Sequence, residues 1–258
     1  FLFGDQSVEI PTLWAAVCGS RRDMPSDHFD ADVGRTWEWK DTLPTRGLIY
    51  YGKLLRGKPT LVSLDLLPCF YALSENYGDL LDYREQYEEG KLSVEAKNIY
   101  EALLHEGAMA TSRLRVLAGL SGSGSIARRF DRAIAELQMG LKIVKAGISD
   151  SNRWGYAYVY DLFLRRFPAV AESARQISAQ QAMQRLLLTY LRNVIVQPEA
   201  LCQRLFRWEP GEWEKLLKWL VEQGLIRRDA RVQGLEGALL ARAEEAASER
   251  RIAARRSP

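Results

Sequence analysis

The stretch LSVEAKNIYEALLHEGAMATSRLRVLAGLSGSGSIARRFDRAIAELQMGLKIVKAGISDSNRWGYAYVYDLFLRR, residues 92–166, decides the fold. Ser93 is placed to N-cap a helix running to about Glu106, because a serine hydroxyl accepts from first-turn N–H groups, and Gly107 ends it. Thr111 opens a second, short helix closed by Gly119, and the polar SGSGS is a turn. A third helix is predicted from Ser125 to Met139. Its residues Ile126, Phe130, Ala133, Ile134 and Leu137 recur at the i, i+4, i+7, i+8, i+11 spacing of one buried face. Gly140 ends it. LKIVKAGI and WGYAYVYDLFL then read as two strands joined by a polar turn over 149–153. Helix, helix, helix, strand, turn, strand is the order of a winged helix-turn-helix.

Downstream, residues 178–232 repeat this order with a smaller wing. A helix covers about Ser178–Arg192, and a short one follows Pro198, a residue suited to a first helical turn. A third helix spans EPGEWEKLLKWLVEQG and is closed by Gly224. LIRRDARVQ reads as a strand or reduced wing, and the rest of the chain reads as a helical or frayed tail. Upstream, EIPTLWAAVCGS reads as one short helix. RTWEWKDTLP reads as extended, since Trp37 and Trp39 stand two apart. Residues 48–66 form a hairpin around Arg56-Gly57-Lys58. LLPCFYALSEN reads as a short helix, and GDLLDYREQYEEG as a helix or linker. The expected class is α+β, mainly helical: tandem winged helix-turn-helix units behind a hairpin-bearing N-terminal part. The expected segments are 1–91 (with the hairpin, read also as a divergent winged-helix unit), 92–168, 169–236 and a tail over 237–258.

The chain has 258 residues, of which 47% are hydrophobic and 27% charged. That composition excludes bulk disorder, collagen and coiled-coil rods. No run of apolar residues is long enough for a membrane span, and no charged segment leads an apolar one as in a secretory signal. A cytoplasmic protein without membrane contact is therefore expected. The chain opens on Phe1 rather than Met, which is read as the loss of a short upstream segment. Three scattered cysteines and two histidines supply neither a disulfide framework nor a metal constellation. No cofactor motif stands out, so no metal and no cofactor is expected.

The net charge of +3 hides an asymmetry. Residues 1–110 hold 11 Lys+Arg against 18 Asp+Glu, whereas residues 111–258 hold 25 against 15. Such a split favours a polyanionic partner. In a helix-turn-helix the third helix enters a groove. On the first unit's third helix, Ser125, Arg128 and Arg132 lie opposite the apolar stripe, with Arg128 and Arg132 one turn apart. Ser125 also sits at the helix N-terminus, which favours phosphate. Lys142, Lys145 and Arg153, with Trp154, are expected to add a cationic wing. The second unit's third helix exposes Glu214 and Lys218 beside Glu212, Lys215 and Glu222, a self-paired surface suited to packing.

RTWEWKDTLP, YYGKLLRGKPTLVSLDLLPCFYALSENYGDL and LSVEAKNIYEALLHEGAMATSRLRVLAGL together resemble AlkZ-related proteins, relatives of the AlkZ/YcaQ winged-helix DNA glycosylases. The resemblance runs from about Phe3 to Ile226 and is strongest over 35–141. It implies tandem winged helices on double-stranded, damaged DNA and excision of alkylated or crosslinked bases. It also implies a Gln-apolar-Gln or Gln-apolar-Asp triplet. Neither occurs here, and Gln86-Tyr87-Glu88 matches the pattern only formally. The site candidate is instead the segment Trp37–Asp41. Trp37 and Trp39 are placed to stack on a base, Lys40 to hold a phosphate, and Glu38 or Asp41 to position water as the catalytic acid. Tyr50, Tyr51 and Lys53 are candidates for the same cleft, and Lys40 or Lys53 for a covalent amine. The competing readings are a non-enzymatic DNA-binding regulator and a protein-interaction module.

Overall fold

The structure, a computed structural model, describes residues 10–19, 23–25, 30–149, 157–232 and 237–243. It is α+β, about 54% helical with small antiparallel sheets. The residues 13–178 form one compact unit, and 179–243 with 10–12 belong to another.

The first unit begins with α1 (Leu13–Cys18) and α2 (Ala31–Thr45). The segment expected to be extended is thus a helix. Asp30 caps it, its side chain accepting from the Asp32 and Val33 N–H groups at 2.9 and 3.2 Å. Val33, Thr36, Lys40 and Pro44 form its buried stripe. That stripe has helical spacing but carries a threonine and a lysine, so its period is invisible in hydrophobicity. The hairpin β1 (Ile49–Leu55) and β2 (Lys58–Ser63) follows. Arg56 and Gly57 turn it with φ values of 56° and 66°, the two left-handed positions that match strand twist. Next come α3 (Leu67–Ala72) and α4 (Tyr83–Glu88).

The stretch 92–166 folds as α5 (Val94–Glu106), β3 (Met109–Ala110), α6 (Thr111–Leu117), α7 (Ser125–Met139), β4 (Ile143–Ser149), β5 (Ala157–Leu162) and α8 (Phe163–Arg166). Ser93 Oγ accepts from the Ala96 N–H at 3.2 Å, the expected cap. Phe130, Ala133, Ile134 and Leu137 of α7 are buried with Ile99, Leu103, Leu114 and Leu162 in one core. The sheet order is β3-β5-β4. Residues 150–156, which join β4 to β5 and include Arg153 and Trp154, lie outside the described residues. A second core joins Tyr50, Val62, Leu67, Tyr71, Val144 and Phe163, with Val170 and Ala174 of α9 (Pro168–Ala174). It fastens the hairpin to the back of β4.

The second unit runs α10 (Ala179–Val194), β6 (Val196–Pro198), α11 (Glu199–Phe206), α12 (Pro210–Glu222), β7 (Ile226–Arg227) and β8 (Leu239–Arg242). Its sheet order, β6-β8-β7, repeats that of the first unit. The central strand comes from Leu239–Arg242, residues expected to belong to a tail. Leu239 and Leu240 are buried there. Among the described residues, no helix is long and apolar enough to cross a membrane.

Candidate nucleic-acid interface

The SGSG turn delivers Ser125 to the start of α7, after Gly124 with φ of 61°. The apolar stripe of α7 faces the core, so Ser125, Arg128 and Arg132 are exposed. Together with Lys53, Arg129, Asp131 and Ala135 they line an open groove of about 590 Å³. Two of these charges are compensated: Arg129 pairs with Glu95 at 2.5 Å and Asp131 with Arg115 at 3.0 Å. Among the described residues Arg128 and Arg132 make no ion pair. Exposed arginines one turn apart on a helix, neither held in an ion pair, favour an anion.

Lys142 does not join this face. Its side chain is buried and bonded to Asp82, also buried. Burial pushes the Lys142 pKa down, and Asp82 opposes the shift. The pair ties the start of β4 to the loop before α4, so Lys142 is structural rather than a wing contact.

Lys145 is also turned inward. The β4–β5 register shifts between Lys145 and Gly147. Such a bulge re-aims a side chain. Lys145 Nζ lies 3.9 Å from the centroid of the Tyr51 ring and 3.8 Å from that of Tyr158. The side chain remains partly open to solvent. Ring faces attract an ammonium. Burial acts against it, as does the charge of Lys40. Asp41 partly offsets these and Lys53 adds to them, leaving the pKa pushed down to about 7.

Beside it, α2 packs across β4 and brings Lys40. Lys40 Nζ lies 2.7 Å from Asp41 Oδ1 and donates to the Tyr158 hydroxyl at 2.8 Å. Burial alone would lower its pKa, but these two bonds outweigh it and push the value up. The Trp37 ring is 5.0 Å from the same Nζ. At about 100° per residue Trp37 and Asp41 flank Lys40 on one side of α2, and Trp39 falls on the other. The two tryptophans therefore do not stack as a pair. Glu38 sits on the exposed surface of α2, nearly opposite Lys40.

Of the hairpin candidates, Tyr50 points into the core and donates to the Gln138 carbonyl at 3.2 Å. Tyr51 lies under Lys145, and Lys53 lines the α7 groove. Lys53 thereby links the groove to the Lys40–Lys145 cluster. Sequence reading missed Lys145 as a half-buried amine and Tyr158 altogether. One signal was present: Lys145 stands alone inside the apolar run IVKAGI.

The formal triplets are structural. The Gln86 side-chain amide donates to the Glu75 carbonyl at 2.8 Å. In the second unit Gln197-Pro198-Glu199 has a similar pattern that sequence reading passed over. Gln197 donates to the Tyr190 hydroxyl at 2.6 Å, and Glu199 accepts from Trp213 at 3.2 Å and from Arg228 at 2.9 Å. The exposed side of α12 is self-paired: Lys215 with Glu212 at 2.8 Å, and Arg228 with Glu214 at 3.1 Å. Arg227 bonds Asp229 at 2.7 Å. Among the described residues, no group of histidine, cysteine and acidic side chains is arranged to hold a metal ion.

No curated protein and no solved structure matches the chain. A family model does: the AlkZ-related model matches residues 2–207, well over half of the sequence. By that match, the chain belongs to the AlkZ-related family.

Proposed function

We propose that this protein binds damaged double-stranded DNA through tandem winged-helix units, with α7 of the first unit as the groove-facing helix, and acts on the lesion as a glycosylase. The carrying observation is the groove of Ser125, Arg128, Arg132 and Lys53, whose arginines are exposed and lack carboxylate partners among the described residues. Helix, strand and sheet order in both units support the winged-helix reading. Family membership supports the link to DNA repair. Arg153 belongs to this proposal as a wing contact, although it lies outside the described residues.

For the chemistry, Asp41 is the acid assigned to positioning water. It is mostly buried and held by Lys40 beside the exposed Trp37 ring, whereas Glu38 points away from Lys40. Trp37 is the assigned stacking platform, and Trp39 a flanking one. Excision would break the bond from C1′ to the base while water supplies oxygen to C1′. The absence of the family's Gln-apolar-Gln and Gln-apolar-Asp triplets favours a second reading, lesion binding without excision.

Binding to intact and alkylated duplex across a salt series tests the proposal. Three phosphate contacts, by Lys53, Arg128 and Arg132, give a slope of log K on log salt of about −3. Alkylated duplex is expected to bind more tightly and to acquire alkali-labile sites. Tight binding without such sites selects the second reading. Salt-independent or absent binding overturns both.

A further inference from the structure

The structure assigns a covalent role to Lys145: we propose that its amine forms a reversible imine with the aldehyde of an abasic deoxyribose. The inference rests on the DNA-binding reading and deepens it, because base excision leaves such a sugar, whose ring-opened form is an aldehyde at C1′.

The geometry separates two lysines of neighbouring position. Lys40 is held as an ammonium by Asp41 and Tyr158, at 2.7 and 2.8 Å. Its lone pair is occupied by a proton, so it is no nucleophile. Lys145 has two ring faces against Nζ and, among the described residues, no carboxylate within ion-pair distance. The ring faces alone would favour the ammonium, but the burial of Nζ and the second cation, Lys40, act the other way, the arrangement that keeps a lysine neutral and nucleophilic. The charged groups acting on it are Lys40 and Asp41 of α2 and Lys53 of β1, and α7 and α8, which also pack on β4, add none among the described residues. Its pKa of about 7 agrees with that geometry. Lys53 places the amine next to the α7 groove, where the sugar–phosphate chain would run.

In the step itself, Nζ donates its lone pair to C1′ and the carbonyl π pair moves to oxygen. That oxygen takes one proton from the adding nitrogen and one from solvent, and leaves as water. The product is a protonated C1′=Nζ imine, which added water hydrolyses back. An external borohydride reductant delivers hydride to C1′ and makes the link permanent.

The test uses the full chain, a duplex bearing one abasic site, and borohydride. A covalent protein–DNA adduct is expected, with the modified peptide containing Lys145. Adduct yield should rise with pH through about 7 and then level. Lys145→Arg should lower the yield by about 100-fold or more while duplex affinity stays within about 3-fold. Peptide mapping on the unaltered chain decides the matter even if the variant folds poorly. An adduct at another amine, or tight duplex binding with no adduct, overturns the assignment of Lys145 and leaves the DNA-binding reading standing. Absent duplex binding overturns both.

Discussion

The two units share an order of elements and a sheet order, yet their third helices differ in electrostatics, one with an excess of cations and one with paired charges. On α7, Arg128 and Arg132 face solvent and make no ion pair among the described residues, although Asp131 lines the same groove and Glu95 feels the charge of Arg132. On α12, Lys215 and Glu212 pair, and Glu214 takes Arg228 from the strand region below. The α12 groove, about 570 Å³, is nearly as large as that of α7, and its charged lining is Glu214, Lys215, Lys218, Glu222 and Arg228. Size therefore does not distinguish the two grooves. The excess of cations over acids does, and one topology carries a strongly cationic groove in one copy and a nearly balanced one in the other.

The largest effect should come from inverting that difference. Arg128→Glu with Arg132→Glu removes the two proposed phosphate contacts and installs two repulsions. Duplex affinity at low salt should fall about 1,000-fold, or about 4 kcal/mol. The matched double change on α12, Lys215→Glu with Lys218→Glu, should alter affinity by less than about 3-fold, since each lysine is already neutralised. Fluorescence anisotropy with one labelled duplex measures both. Equal losses from the two helices would erase the distinction drawn here.

Next in size is a contrast between the two ion-pair networks. Lys142 and Asp82 are both buried. Asp82→Asn leaves an ammonium in the interior without its counter-charge, and stability should drop by about 3 kcal/mol. Glu214→Gln takes one partner from the half-exposed Arg228, which keeps Glu199. That loss should stay below about 1 kcal/mol. Urea denaturation reads both. Comparable losses would mean that the Lys142–Asp82 pair is open to water.

What could be read in advance tracks where the physics is local. The boundaries of α7 were legible because Ile126, Phe130, Ala133, Ile134 and Leu137 repeat with helical period and glycines bracket them. Ser93 was legible because its cap is made within three residues. α2 was not, because its buried stripe is Val33, Thr36, Lys40 and Pro44, and two conspicuous tryptophans at even spacing suggested a strand. β8 was missed because a four-residue strand gains its identity from β6 and β7, not from its own pattern. The site was half legible. Arg128 and Arg132 follow from the helix face. The burial of Lys142 depends on Asp82, 60 residues away, and the inward turn of the half-buried Lys145 on Tyr51 and on a bulge in β4.

Lys145 also distinguishes the units by pH. Its pKa falls from 10.5 in the unfolded chain to about 7 in the folded one. Between those values the unfolded chain binds the extra proton, so stability rises with pH from about 7 to 10.5. Below pH 7 both states are protonated and the penalty is fully present. Lys145→Met removes it. The variant should gain thermal stability over the parent at pH 6, with the gain shrinking as pH rises towards 10. Melting curves at several pH values measure this. A gain that is constant with pH would mean that Lys145 keeps its ordinary pKa.

The smallest effects concern how one helix of each unit ends. In the first unit α5 stops at Gly107, with φ of 82° and ψ of −167°. That region is open to glycine alone, and Gly107→Ala should cost about 1–3 kcal/mol. An added Cβ there meets nothing within 4 Å, so the whole loss is backbone strain. In the second unit α11 stops at Arg207, a side-chain-bearing residue at φ of 55° and ψ of 33°. A non-glycine residue in the left-handed region carries about 1 kcal/mol of strain, partly returned because glycine loses more entropy on folding. Arg207→Gly should therefore stabilise the second unit by about 0.5 kcal/mol. The two substitutions run in opposite directions at two helix ends, one inserting a Cβ after the first helix of its unit and one deleting it after the second helix of the other. Equal signs in the two melts would show that side-chain contacts of Arg207, not backbone conformation, set the end of α11.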